Sequence, residues 1–123
     1  MPTIAMLAQI VIALGIVNVW VLRRDRPTPY RPEGAGSIRE EFDRYGLPEW
    51  APTVVGSTKL ILAFLLLIGV VYAEVAVPAA VGMASLMAGA VLAHIKVRDP
   101  WIKALPALSM LLLSIVVVAA RVA

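Results

Sequence analysis

The chain reads as an all-α integral membrane four-helix bundle with a short amphipathic cytoplasmic helix between spans one and two. Three observations lead there. Four apolar runs, about residues 3–22, 51–72, 75–95 and 101–122, each match the roughly 20 residues that cross a ~30 Å hydrocarbon layer at ~1.5 Å per residue. Nearly all the Lys and Arg residues gather at one end of all four runs, Arg121 excepted. Apolar residues make up 61% of the chain and charged ones 15%, with mean hydropathy +0.89, outside the range of soluble domains. Residues 1–123 are accordingly read as a single membrane domain, with the loop 23–50 as its only sizeable extramembrane piece.

Span one has no basic residue ahead of it and ends in Trp20 and Arg23-Arg24 rather than in a small-residue cleavage site. It is expected to persist as a membrane helix and not to be removed as a signal peptide. Its polar residues, Gln9 and Asn18, fall on opposite faces, and each suits an interhelical hydrogen bond. In the loop, Arg26-Pro27-Thr28-Pro29-Tyr30-Arg31-Pro32 should run extended, since each proline disfavours helix in the residue before it. Ser37-Ile38-Arg39-Glu40 then matches a capping box, and Gly46 with Pro48 suits the end of the same helix. Ile38, Phe42 and Tyr45 share one face, while Arg39, Glu40, Asp43 and Arg44 cover most of the rest. Such a helix lies against the membrane surface or closes the end of the bundle.

In span two, Gly56-Ser57-Thr58 precedes Lys59 without the glycine spacing of a phosphate-binding loop. Span three places Pro78 in its first turn and Ser85, Gly89 and Ala93 at intervals of four, a small-residue ladder that lets another helix approach. Asp99-Pro100 supplies an N-cap and a first-turn proline for span four, and Pro106 is expected to bend it.

Orientation follows from the basic residues. Arg23, Arg24, Arg26, Arg31, Arg39 and Arg44 lie between spans one and two, and Lys96 and Arg98 between spans three and four. The turn between spans two and three carries Glu74 and no Lys or Arg. The positive-inside rule makes loops 23–50 and 96–100 cytoplasmic and puts both termini outside the membrane. Trp20, Trp50 and Trp101 all fall at the basic end, where indole favours the headgroup layer.

The same end holds the candidate site. Lys59 lies roughly 12 Å along span two by helix rise, deep enough that a charge either snorkels out or faces a partner or ligand. Lys59, His94 and Lys103 are the candidate ligand-binding residues. Arg39, Glu40, Glu41, Tyr45, Lys96 and Asp99 are the candidate lid, in which loop-helix acids neutralise basic helix ends. Adjacent glutamates point in different directions on a helix, so Glu40 and Glu41 do not form an acid–base dyad. No cysteine is present, which removes disulfides, thiolate nucleophiles and iron–sulfur ligation. The lone His94 lacks a set of partners for zinc or haem. No catalytic residues and no metal site emerge, and no cofactor is evident, although contact with a quinone stays open. The expected partners are the lipid bilayer and another membrane protein or a second copy of the chain, not nucleic acid.

Thr28-Pro29-Tyr30-Arg31, Arg39-Glu40-Glu41-Phe42, Tyr45-Gly46-Leu47-Pro48, Gly56-Ser57-Thr58-Lys59-Leu60, His94-Ile95-Lys96-Val97-Arg98-Asp99-Pro100 and Lys103-Ala104-Leu105-Pro106-Ala107 together resemble the DoxX-like family of small bacterial membrane proteins. The resemblance implies a four-helix membrane bundle in a bacterial inner (plasma) membrane, and little about activity. Wider relatives, the DoxX and DoxD proteins, are linked to a thiosulfate:quinone oxidoreductase, and others support thiol redox maturation. Without cysteine, direct dithiol chemistry is excluded here. Three readings follow: a non-catalytic membrane subunit or accessory protein, a binder or carrier of a small amphipathic ligand such as a quinone or lipid, and a subunit of a quinone-linked oxidoreductase. A cavity beside Lys59 would favour the second reading. A dry bundle with Lys59 paired to Glu40 or Glu41 would favour the first.

Overall fold

The computed structural model describes residues 2–26, 28–32 and 34–122. Pro27 and Glu33 of the loop lie outside the described residues. Helix α1 (Pro2–Val17) runs on through a π-helical turn at Asn18–Leu22. Helix α2 (Ile38–Arg44) is short, α3 spans Ala51–Val71 and α4 spans Ala73–Lys96. A 3-10 turn at Trp101–Ala104 leads into α5 (Leu105–Val122). Four of these segments are long and apolar enough to cross a membrane, so the fold is an all-α membrane bundle.

Around the bundle the long helices follow the order α1, α3, α4, α5, each packed against the next and α5 closing on α1. Ile12, Leu66, Met83 and Val117, one from each span, are fully buried at its centre. The outer face is the reverse of a soluble protein's: Leu14, Phe64, Val71 and Leu92 are 64%, 62%, 76% and 65% exposed. Apolar surface on that scale is stable in hydrocarbon, where helices also satisfy their own backbone groups.

The end away from the loop is tied by a polar clasp. Gln9 Nε2 donates to the Leu66 carbonyl at 2.7 Å, and Arg121 donates to Gln9 Oε1 through Nε at 3.2 Å and Nη2 at 2.8 Å. Arg121 Nη2 also donates to the Gly69 carbonyl at 3.2 Å. That carbonyl belongs to the last turn of α3, where helical acceptors go unpaired and the helix dipole is negative. A cation there caps α3 while Gln9 joins α1 to it. Asn18 behaves differently: its Oδ1 accepts from Arg23 Nε at 3.1 Å within its own stretch of chain, and makes no bridge between helices.

Several local expectations are corrected at the loop end. Thr28–Arg31 is a turn, closed by Arg31 N donating to the Thr28 carbonyl at 3.3 Å, because Pro29 has the φ that a second turn position requires. Helix α4 starts early enough that Pro78 lies inside it. Pro106 falls just after the 3-10 turn, at the start of α5, where a proline costs little and need not bend the span. Asp99 caps no helix, since its carboxylate is engaged elsewhere. Trp50 and Trp101 are exposed as belt residues should be, but Trp20 is buried, having turned inward within the π-helical stretch.

Candidate ligand site at the basic end of the bundle

Helix α2 forms the floor that closes this end. Ser37 Oγ accepts from Glu40 N at 3.2 Å, and the Glu40 carboxylate reaches one residue further back than a capping box requires, accepting from Gly36 N at 3.0 Å. At the other terminus Gly46 sits at φ +76°, and the N–H groups of Gly46 and Leu47 return to the Asp43 and Phe42 carbonyls. The apolar face predicted from spacing is the one that packs: Ile38, Phe42 and Tyr45 are all buried. Phe42 meets the Trp20 ring edge-on, with centroids 5.7 Å apart.

Above that floor lies a cavity of about 680 Å³ walled by all four spans. Lys59 is only 7% exposed and lines it. Its Nζ stands 5.0 Å from the centroid of the Trp20 ring, a cation–π contact. Trp20 can occupy that place because residue 56 is glycine; a Cβ there would come within 2.5 Å of the indole. Lys59 therefore does not snorkel. Among the described residues no carboxylate lies within 4.0 Å of Nζ and no protein acceptor takes its protons.

A row of polar groups runs beside the cavity. Arg31 Nε pairs with Glu41 Oε1 at 3.2 Å, and Tyr45 O–H donates to Glu41 Oε2 at 2.9 Å. The Tyr45 oxygen is 3.3 Å from His94 Nε2, and His94 Nδ1 is 2.7 Å from Asp99 Oδ2. Burial, reinforced by the Glu41 carboxylate, pushes the Tyr45 phenol far above its ordinary range, so it remains a donor at any physiological pH. Tyr45 has a single proton for two neighbours, Glu41 and His94 Nε2.

Asp99 reaches His94 through the end of α4. Arg98 N and Asp99 N return to the Ile95 and His94 carbonyls, both at 3.0 Å, with Arg98 at φ +59°. This is the same terminating motif as in α2, with arginine where glycine is usual.

The structure brings Lys59, His94, Lys103, Glu41 and Tyr45 to one cavity, with Asp99 behind His94. Lys96 and Lys103 face backbone carbonyls instead of acids: Lys96 Nζ donates to the Tyr45 carbonyl at 2.9 Å, and Lys103 Nζ to those of Arg31 and Pro29. Arg39 and Glu40 are exposed and do not line the cavity. Two residues are missed by sequence reasoning. Trp20 passes for a belt residue, and Arg31 passes for a topology marker although it is 3% exposed and lines the cavity. Arg31 Nη2 donates to the Arg23 carbonyl at 2.9 Å, while its buried Nη1 has no acceptor among the described residues. The small-residue ladder also differs from expectation, since a Cβ on Gly89 would meet nothing within 4 Å. Among the described residues nothing fills the notch at Gly89. Among the described residues no three His, Cys, Asp or Glu side chains converge as a metal site.

A four-span membrane bundle with a largely apolar chamber, bordered by a few polar side chains, at one end is thus the class of protein defined here. The model of the DoxX-like family matches residues 33–118, and the chain belongs to that family. No curated protein and no solved structure matches it.

Proposed function

We propose that this protein binds a small amphipathic molecule whose oxygen-bearing head is held by Lys59. The observation that carries the reading is a nearly buried lysine whose Nζ borders a 680 Å³ cavity, with an aromatic face on one side and no protein acceptor among the described residues. Burying a charge in an apolar bundle is costly, and a ligand oxygen offsets that cost. Arg31 lines the same cavity beside Lys59. The walls away from these donors are apolar, with Ile16, Val19, Met87 and Met110 suited to a hydrocarbon body. The head chemistry is shared by a quinone carbonyl and a fatty carboxylate. Positive-inside reasoning puts this chamber on the cytoplasmic side of a bacterial inner membrane. A role as an accessory subunit concerns the exposed flanks and is compatible with ligand binding.

The test is equilibrium binding to the full chain in lipid nanodiscs, with a long-chain benzoquinone and a long-chain fatty acid as separate probes. Lys59→Met should weaken the bound probe at least about tenfold, the scale of a lost charged hydrogen bond, while the protein stays folded. Saturable binding of one probe alone identifies the head. Undiminished binding to the variant, or no binding of either probe, rejects the reading.

A further inference from the structure

The cavity does not end at the centre of the bundle. Ser85 and Gly89 of α4 line it and are at the same time exposed on the outer flank of the bundle. Measured from Lys96, where α4 ends, Gly89 lies roughly 10 Å and Ser85 roughly 16 Å along the helix axis. That depth is well inside the hydrocarbon layer of one leaflet, not at the headgroups. The wall there is made of the smallest side chains on α4, and the space a Cβ of Gly89 would occupy is open. Lys59 is at the same depth by residue count, roughly 12 Å into α3. A ligand whose head reaches Lys59 can therefore leave its chain in the flank opening.

From this we infer that the ligand is a lipid-dissolved molecule with a hydrocarbon chain, admitted sideways from the leaflet through the notch at Ser85 and Gly89. The inference rests on the proposed binding at Lys59. It does not depend on the small residues alone, because Lys59, more than nine-tenths buried and unpartnered among the described residues, lines the same cavity. A head group alone needs no flank opening, whereas a chain longer than the cavity leaves through one. Residue 89 then decides which ligands are accepted: a large side chain there obstructs the chain and leaves the head donors untouched.

Trp20 supplies the readout, since it lines the cavity under Lys59. With Trp50 and Trp101 replaced by Phe, both being exposed, Trp20 is the sole indole of the full chain. The protein is placed in phosphatidylcholine vesicles, and quenching of Trp20 is followed with a long-chain benzoquinone and with the same quinone head lacking its chain. Gly89→Leu should weaken quenching by the long-chain probe several-fold and leave the chainless probe unaffected. Ser85→Leu repeats the test should the first variant fail to accumulate. Equal behaviour of both probes in both variants overturns the lateral route. Lys59→Met separates the two ideas. If it abolishes quenching while Gly89→Leu does nothing, the route fails and the site stands; if it too does nothing, the site itself fails.

Discussion

The two ends of this bundle are built from similar materials and reach opposite outcomes. Each holds a basic side chain, Lys59 well inside its span and Arg121 at the end of its own, and a glycine at which another part of the chain approaches closely. At the clasp end, Arg121 spends its donors on Gln9 and on the unpaired Gly69 carbonyl, and Gly69 is pressed against Ala76 of α4. At the basic end, Gly56 admits the Trp20 ring, which holds Lys59 over the cavity without consuming its protons. A cation whose donors are taken up by protein is a fastener. One that is positioned but left unpaired is what the proposed ligand head would meet.

The same substitution at both glycines breaks this comparison most strongly. Gly69→Ala places a methyl 3.0 Å from the Ala76 backbone, and Gly56→Ala places one 2.5 Å from the Trp20 ring. Each should destabilise the bundle by about 1–3 kcal/mol, the usual cost of overpacking. Only Gly56→Ala should also weaken the probe, because Trp20 must shift and Lys59 with it. Thermal unfolding in detergent and probe binding, measured together, check the split. Equal loss of binding in both variants would mean that the cavity senses general packing rather than the seat of Lys59.

How far this contrast was legible beforehand depends on the kind of signal. The spans and the capped loop helix are written in short-range periodicity, and the fold followed from them. Lys59 stands out because a charge within an apolar run is conspicuous by itself. Arg31 is not conspicuous, since one arginine among six in a loop carries the same topological meaning whether it points out or in. The burial of Trp20 depends on a π-helical turn that re-aims the side chain, and nothing in Asn18–Leu22 announces it. Gln9 and Arg121 are 112 residues apart, and neither indicates the other. The cavity is a property of how small residues on four helices face each other, which linear order does not express.

Tyr45 offers a pH-resolved probe of the polar row. Its phenol is held neutral in the folded protein, with a value raised above the ordinary 10.0. Below about pH 10 the folded and unfolded states both carry the proton, and the stabilising contribution is intact. Above it the unfolded chain loses the proton while the folded one keeps it, so stability declines by about 1.4 kcal/mol per pH unit. Tyr45→Phe removes this slope. The wild-type advantage over Tyr45→Phe should therefore shrink as the pH rises past 10, measured by unfolding in detergent. A constant difference would show that the phenol already ionises in the folded chain.

The smallest effect concerns how the row is anchored. Helices α2 and α4 end in the same motif, but α2 uses Gly46 at φ +76° and α4 uses Arg98 at φ +59°. A side chain in that region crowds its own carbonyl, at about 1–2 kcal/mol, and glycine relieves this at some entropic cost in the unfolded chain. Arg98→Gly should then raise stability by about 0.5–1 kcal/mol with the His94–Asp99 contact kept. Arg98→Val, whose branched side chain resists a positive φ, should do the reverse and free Asp99 from the ring. The two variants distinguish a residue tolerated at a helix end from one that maintains the site. If probe affinity is unchanged by Arg98→Gly but falls with Arg98→Val, the turn matters for where it puts Asp99 and not for its charge. If both lower affinity equally, the arginine itself contributes to the electrostatics of the chamber.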